Sequence, residues 1–188
     1  MIKLLGISGS LRRGSFNTLA LQAMALQLPA DVSLEIRTLH GIPLYDADLE
    51  ASEGVPPAVT SLKELIVAAD GVILGTPEYN NGIPGVFKNA IDWASRPPAD
   101  VKRVFRGRPF ALLGASPGGF GTILSQTAWL PVLRTLGTEP WFGGRLLLSR
   151  ASTLFDATGK LTDAAIQEQL RQFVLGFAEF VQKRSASH

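Results

Sequence analysis

The residues best placed to do chemistry lie in three short stretches. The first, "GISGSLRRGSFNT" (Gly6–Thr18), joins three glycines, four Ser/Thr residues and the pair Arg12–Arg13 to an apolar run on one side and a helix-like pattern on the other. Ser8, Ser10, Ser15, Asn17 and Thr18 offer hydroxyl or amide donors, while Gly9 and Gly14 permit tight turns. A helix starting near Ser15 adds free N–H groups and a positive dipole end. This is an anion-binding composition, and a phosphate monoester suits it best. The spacing matches neither familiar phosphate loop. Gly6, Gly9 and Gly14 miss G-x-G-x-x-G, and Ser15 and Phe16 stand where a P-loop needs Lys and Ser/Thr. Taken alone, the stretch reads equally well as a solvated turn with a capping serine.

The second stretch, "PEYNNGIPG" (Pro77–Gly85), offers a flat apolar face with a polar tip at Tyr79. Asn80 and Asn81 can read an amide-like ring edge. Asn-Gly and Pro-Gly are also ordinary turn dipeptides, which accounts for Gly82, Pro84 and Gly85 without any ligand. The third stretch, "GASPGGFG" (Gly114–Gly121), contains G-x-S-x-G, the nucleophile elbow of serine hydrolases. Two objections weigh against that chemistry. The residue after Ser116 is Pro117, which has no N–H for an oxyanion hole. The only histidine after Ser116 is His188, the last residue of a polar tail. Ser116 and its glycines read better as donors around a ring that approaches the backbone closely.

Composition narrows the classes further. The 188 residues suit one domain with a sizeable core. No cysteine is present and the histidines are His40 and His188, which removes disulfides, thiolate chemistry and histidine-rich metal sites. A net charge of +2, with no Lys/Arg run longer than two, does not point to nucleic acid. The N-terminal apolar run is too short for a signal peptide or a membrane span, so no membrane partner and a cytoplasmic location are expected.

The elements that must position these stretches alternate. "IKLLGIS" (Ile2–Ser8) and "GVILGTP" (Gly71–Pro77) are apolar runs of the kind buried on both faces, while "VSLEIRTL" (Val32–Leu39) alternates like an edge strand. "RPFALLGAS" and "RLLLSR" (Arg145–Arg150) complete five expected strands. Helical spacing appears from Phe16, from Pro57, from Val86 and in "TILSQTAWLPVLRTLG", where Pro131 should kink or break the helix. The last helix places Ile166, Leu170, Phe173, Val174, Phe177 and Val181 on one face. The result is an α/β reading: a doubly wound, five-stranded parallel sheet of order 2-1-3-4-5. One domain spans residues 1–184, with a frayed tail at 185–188. Ligands of such sheets sit beyond the carboxyl ends of the strands, where the strand order reverses. All three unusual loops converge there. His40, after the second strand, is expected to be a surface turn residue away from that edge. Trp93, Trp129 and Trp141 are expected in the core or at a subunit contact.

Together "GSLRRGSFN", "PEYNNGIPGVFKNAIDWASR" and "SPGGFG" resemble the NADPH-dependent FMN reductase family, a flavodoxin-like group that includes quinone, azo-dye and chromate reductases. The likeness runs from Ile2 to about Val181. It implies a three-layer sandwich, bound FMN, and a ping-pong transfer of two electrons from NADPH or NADH to a small-molecule acceptor. It places the FMN phosphate among Ser10, Arg12, Ser15, Phe16 and Asn17. The isoalloxazine falls beside Pro77, Glu78, Tyr79 and Asn80, with Ser116, Gly118 and Gly119 closing the other side. The family pattern further implies a homodimer or homotetramer, no resident metal and no covalent catalyst. A flavodoxin-type electron carrier is the main alternative, and the hydrolase a more distant one. Against the carrier stands the mildly basic charge with Arg12 and Arg13 at the site.

Overall fold

The computed structural model describes residues 1–185. Strands β1 (Ile2–Ser8), β2 (Val32–Arg37), β3 (Gly71–Gly75), β4 (Pro109–Ala115), β5 (Glu139–Pro140) and β6 (Leu146–Leu148) form one sheet of six. Its order is β2-β1-β3-β4-β5, all parallel, with β6 also paired to β4. Around it lie α1 (Phe16–Ala25), α2 (Ala47–Glu53), α3 (Pro57–Ala68), α4 (Gly85–Ala94), α5 (Val101–Val104), α6 (Ile123–Thr135) and α7 (Ala164–Ser185). The expected tail at 185–188 begins at the last residue of α7, and its remainder lies outside the described residues.

Alternate strand residues feed two core layers, as the period-two pleat requires. Leu4, Ile73, Ala111 and Leu113 pack under α1 and α7 with Leu21, Met24, Phe173 and Phe177. Leu5, Ile7, Val72, Leu74 and Phe110 pack on the other face with Ile66, Phe87, Ile91, Trp129 and Leu133 from α3, α4 and α6. This is the flavodoxin-like three-layer sandwich. At the edge, β2 exposes Ser33, Glu35 and Arg37 between inward Val32, Leu34 and Ile36.

Two expectations need correcting. The fifth strand position is filled in two pieces. Pro109 and Phe110 pair with Glu139 and Pro140, then Leu113, Gly114 and Ala115 pair with Leu146, Leu147 and Leu148. Between them the chain makes an excursion that lays Trp141 against Phe173 and Phe177 of α7. Pro131 also leaves α6 continuous. It is exposed, as is Thr127, whose carbonyl loses its N–H partner, so the gap in the ladder falls on the exposed side of the helix. Short α2 and α5 went unforeseen, since neither is long enough to show a helical period.

Candidate functional site

The parallel ladder carries straight into the three loops. After β1 the Gly9 N–H donates to Gly75 O at 2.8 Å, after β3 Thr76 N–H donates to Leu113 O at 2.9 Å, and after β4 Ser116 N–H donates to Leu148 O at 3.0 Å. The loops therefore leave the sheet in step and enclose a cleft of about 230 Å³. Ser10, Arg12, Ser15, Phe16 and Asn17 line it from the first loop and Pro77, Glu78 and Tyr79 from the second. Ala115, Ser116 and Pro117 line it from the third. Asn80, Gly118 and Gly119 lie outside that lining, although Gly118 and Gly119 are exposed on the same loop.

Close packing of small residues makes the convergence possible. A Cβ on Gly9 would stand 2.1 Å from the Phe87 ring, and one on Gly114 would stand 2.5 Å from Thr76 O and still closer to Thr122. Neither position has room for a side chain.

The donors of the first loop divide into two groups. Ser8 Oγ and Thr18 Oγ1 are paired at 2.7 Å, and the buried Asn17 amide bonds a backbone far along the chain. Its Nδ2 donates to Ala115 O at 3.0 Å and its Oδ1 accepts from Ala115 N at 2.8 Å. Asn17 is thus a strut between the first and third loops, with one of its two amide N–H donors engaged on Ala115 O. Ser15 caps α1 by accepting from Thr18 N. Ser10 Oγ accepts from Arg12 N at 3.2 Å and lies 3.5 Å from the Tyr79 hydroxyl. Towards these backbone N–H groups both serine oxygens accept, which leaves the Ser15 hydroxyl proton available to an anion, while either Ser10 or Tyr79 can donate in the contact between them. Arg12 bonds Gly14 O through Nη2 at 2.7 Å and lies over the Phe16 ring, which in turn stacks on Phe155. The cation is braced at the cleft with no carboxylate partner among the described residues.

In the second loop, Asn80 and Asn81 both take left-handed φ, 49° and 62°, and Tyr79 pairs with Gly82 across them. That turn explains both asparagines through their tolerance of positive φ. Glu78 Oε2 accepts from the N–H groups of Leu124 and Ser125 at 2.8 and 3.0 Å. The carboxylate therefore closes the positive end of α6 and pins the loop to it. Beneath it, Thr76 Oγ1 meets Ser125 Oγ at 2.8 Å and accepts from Trp129 Nε1 at 3.0 Å. These buried Thr76, Ser125 and Trp129 contacts had no signal in the sequence beyond residue type. Trp93 and Trp129 are fully buried and Trp141 half-buried, none of them in the cleft lining.

In the third loop, Ser116 Oγ accepts from Gly118 N at 3.0 Å, a local turn rather than a triad contact. His188 lies outside the described residues. His40 is the exposed turn residue expected, but it is not remote from the first loop: its Nε2 donates to Leu11 O at 3.1 Å, and its Nδ1 lies 3.0 Å from Thr38 Oγ1. It thus braces the first loop. Among the described residues no cluster of His, Asp and Glu could hold a metal ion. No helix among the described residues is long and apolar enough to cross a membrane.

A phosphate monoester joined to a flat ring fits this donor set. The phosphate end would meet hydroxyl protons, first-turn N–H groups and a guanidinium. Open backbone and the exposed Tyr79 face would take the ring. The model of the NADPH-dependent FMN reductase family matches residues 2–153. An NAD(P)H-dependent FMN reductase of Pseudomonas aeruginosa is 47% identical over 171 residues, covering 91% of this chain and 90% of that one. A 2-hydroxy-1,4-benzoquinone reductase of Burkholderia is 34% identical over 97% of this chain and 98% of its own. A flavoenzyme NAD(P)H:(acceptor) oxidoreductase of Paracoccus denitrificans superposes with a TM-score of 0.84 at 32% identity, covering 97% of this chain and 98% of that one.

Proposed function

The chain belongs to the NADPH-dependent FMN reductase family and is an NAD(P)H-dependent FMN oxidoreductase, and from that premise we propose that FMN is held in the three-loop cleft and that quinones are among its acceptors. The observation that carries this reading is the cleft itself, in which the Asn17–Ala115 strut sets the separation of the first and third loops and Glu78 anchors the second to α6. Bound FMN supplies the ring that accepts hydride and passes the electron pair on.

The protein's part is positioning and charge. Ser10 and Ser15 donate their hydroxyl protons to the phosphate, and the first-turn N–H groups of α1 and the braced Arg12 neutralise its charge. Gly118 and Gly119 of the third loop, which carry no side chain, would let the backbone approach the ring edge. Quinone reductase names among the relatives, from Burkholderia and from Escherichia coli at 34% identity, support a flat quinone acceptor. So do exposed apolar side chains on the cleft's loops and the element next to them: Tyr79 in the lining, Phe120 on the third loop and Leu124 in the first turn of α6, exposed at 50%, 83% and 46%. The same apolar side chains suit cover by a second copy of the chain, so a homodimer or homotetramer remains part of the proposal.

The test is a visible spectrum of the protein reconstituted with FMN and followed without oxygen. Bands that stay with the protein through gel filtration, bleach within seconds on NADPH and return on 1,4-benzoquinone are the expected result. Bound flavin that stays oxidised would make the protein a carrier, and failure to retain flavin would overturn the assignment of the cleft.

A further inference from the structure

Among the described residues, three that are not glycine have positive φ. Two are Asn80 and Asn81, a residue type that tolerates the left-handed region and here makes a turn. The third is Arg150, at φ 49° and ψ 39°. An arginine there is strained by its Cβ and glycine would be relaxed, so a side chain retained at such a place calls for a use.

The position of Arg150 points to that use. Its N–H donates to Gly118 O at 2.9 Å, and the next residue, Ala151, donates to Ser116 O at 2.9 Å. Arg150 is thus hydrogen-bonded to the rim of the third loop. Ala151 is fully buried while Arg150 is exposed, so the long side chain is left on the solvent side of that rim. Its guanidinium has no hydrogen bond or ion pair among the described residues. The first loop already holds the donors for the FMN phosphate, Arg12 included. The Arg150 guanidinium, on a different loop from Arg12 and at the rim of the third loop, suits a second anion that approaches from solvent. The phosphates of a nicotinamide dinucleotide are such an anion, and a guanidinium binds them bidentately.

We propose that Arg150 binds a phosphate of the NAD(P)H co-substrate and thereby sets its affinity. The inference rests on the reductase reading above and goes beyond it by naming a residue for the second substrate. Arg150→Gly tests it without a folding penalty, because it relieves the strain and should melt no lower than the parent. The expected result is a KM for NADPH raised about tenfold, the loss of one charge-assisted contact, with kcat unchanged. The Kd of NADP⁺ for the FMN-loaded protein, measured by calorimetry, should rise in parallel, and the Kd of FMN should not move. Arg150→Lys should recover part of the loss. A rise with NADPH alone assigns the contact to the 2′-phosphate, and a rise with NADH as well assigns it to the pyrophosphate. Unchanged dinucleotide constants, or FMN affinity that falls as far, would overturn the proposal. A parent that retains FMN yet oxidises neither dinucleotide would instead overturn the reductase reading, and calorimetry would still report on Arg150.

Discussion

Ser15 and Arg12 are the residues on which cofactor retention should depend most directly. Arg12→Ala removes a braced cation, and FMN should bind at least about tenfold more weakly, the worth of one charge-assisted hydrogen bond. Ser15→Ala should weaken FMN less and also cost about 1 kcal/mol of stability through the lost cap of α1. In both variants kcat at saturating FMN should be near that of the parent; fluorescence titration against steady-state rates separates the two, and parental affinity would contradict the phosphate assignment. At this scale residue types were legible in the sequence, but the allocation of their hydrogen bonds was not. Ser8, Asn17 and Thr18 all look like donors in a linear reading. Asn17 bonds Ala115, 98 residues away, and that pairing exists only once β4 lies against α1 with β3 between it and β1. The tie of His40 to the first loop was hidden for the same reason, since its partner Leu11 lies 29 residues earlier.

Among the elements, α6 links the second loop to the core. Glu78 closes its N-terminus, and Thr76, Ser125 and Trp129 join it to the end of β3. Glu78→Gln keeps an accepting oxygen but removes the charge opposite the helix dipole, so urea unfolding should show a loss of about 0.5–1 kcal/mol. A variant as stable as the parent would mean that the two hydrogen bonds matter and the charge does not. The long helices and the buried strands announced themselves through period and apolar runs. The capping of α6 by a residue from another loop did not, because no local pattern encodes it. Pro131 illustrates the converse. The local rule forbids proline within a helix, and tertiary placement on the solvent side relaxes the rule.

For the molecule as a whole, acid sensitivity should centre on the segment between α4 and β4. There Asp100 is held by Arg103 and by the buried Lys63, and these hydrogen bonds keep its carboxyl well below the usual carboxylate range. A carboxyl depressed in the folded state contributes stability above its unfolded pKa and loses it as pH falls toward the folded value. Stability should therefore decline from about pH 4 downward, the ordinary carboxylate value, with a contribution from this group. In Asp100→Asn that contribution should vanish, leaving a flatter acid limb and a protein less stable at neutral pH, since Lys63 is then left with Arg96 O alone. Denaturant melts of both proteins from pH 3 to 7 make the comparison, and parallel curves would remove Asp100 from the account. Strand order was legible because alternating elements and right-handed crossovers leave few topologies. The divided fifth position was not, for a two-residue strand has no period. That division has a consequence for heredity. From Pro109 to Leu113 the inner strand advances four residues, while its partners advance seven, from Glu139 to Leu146, and the pairing on both sides is kept. The three surplus residues are taken up by an outward bend whose Phe142 and Gly143 are exposed. Insertions and deletions arising there change the length of the chain without shifting a single pair of the sheet, so drift in chain length is absorbed on the edge remote from the β1–β3 junction and the loops at the cleft keep their register.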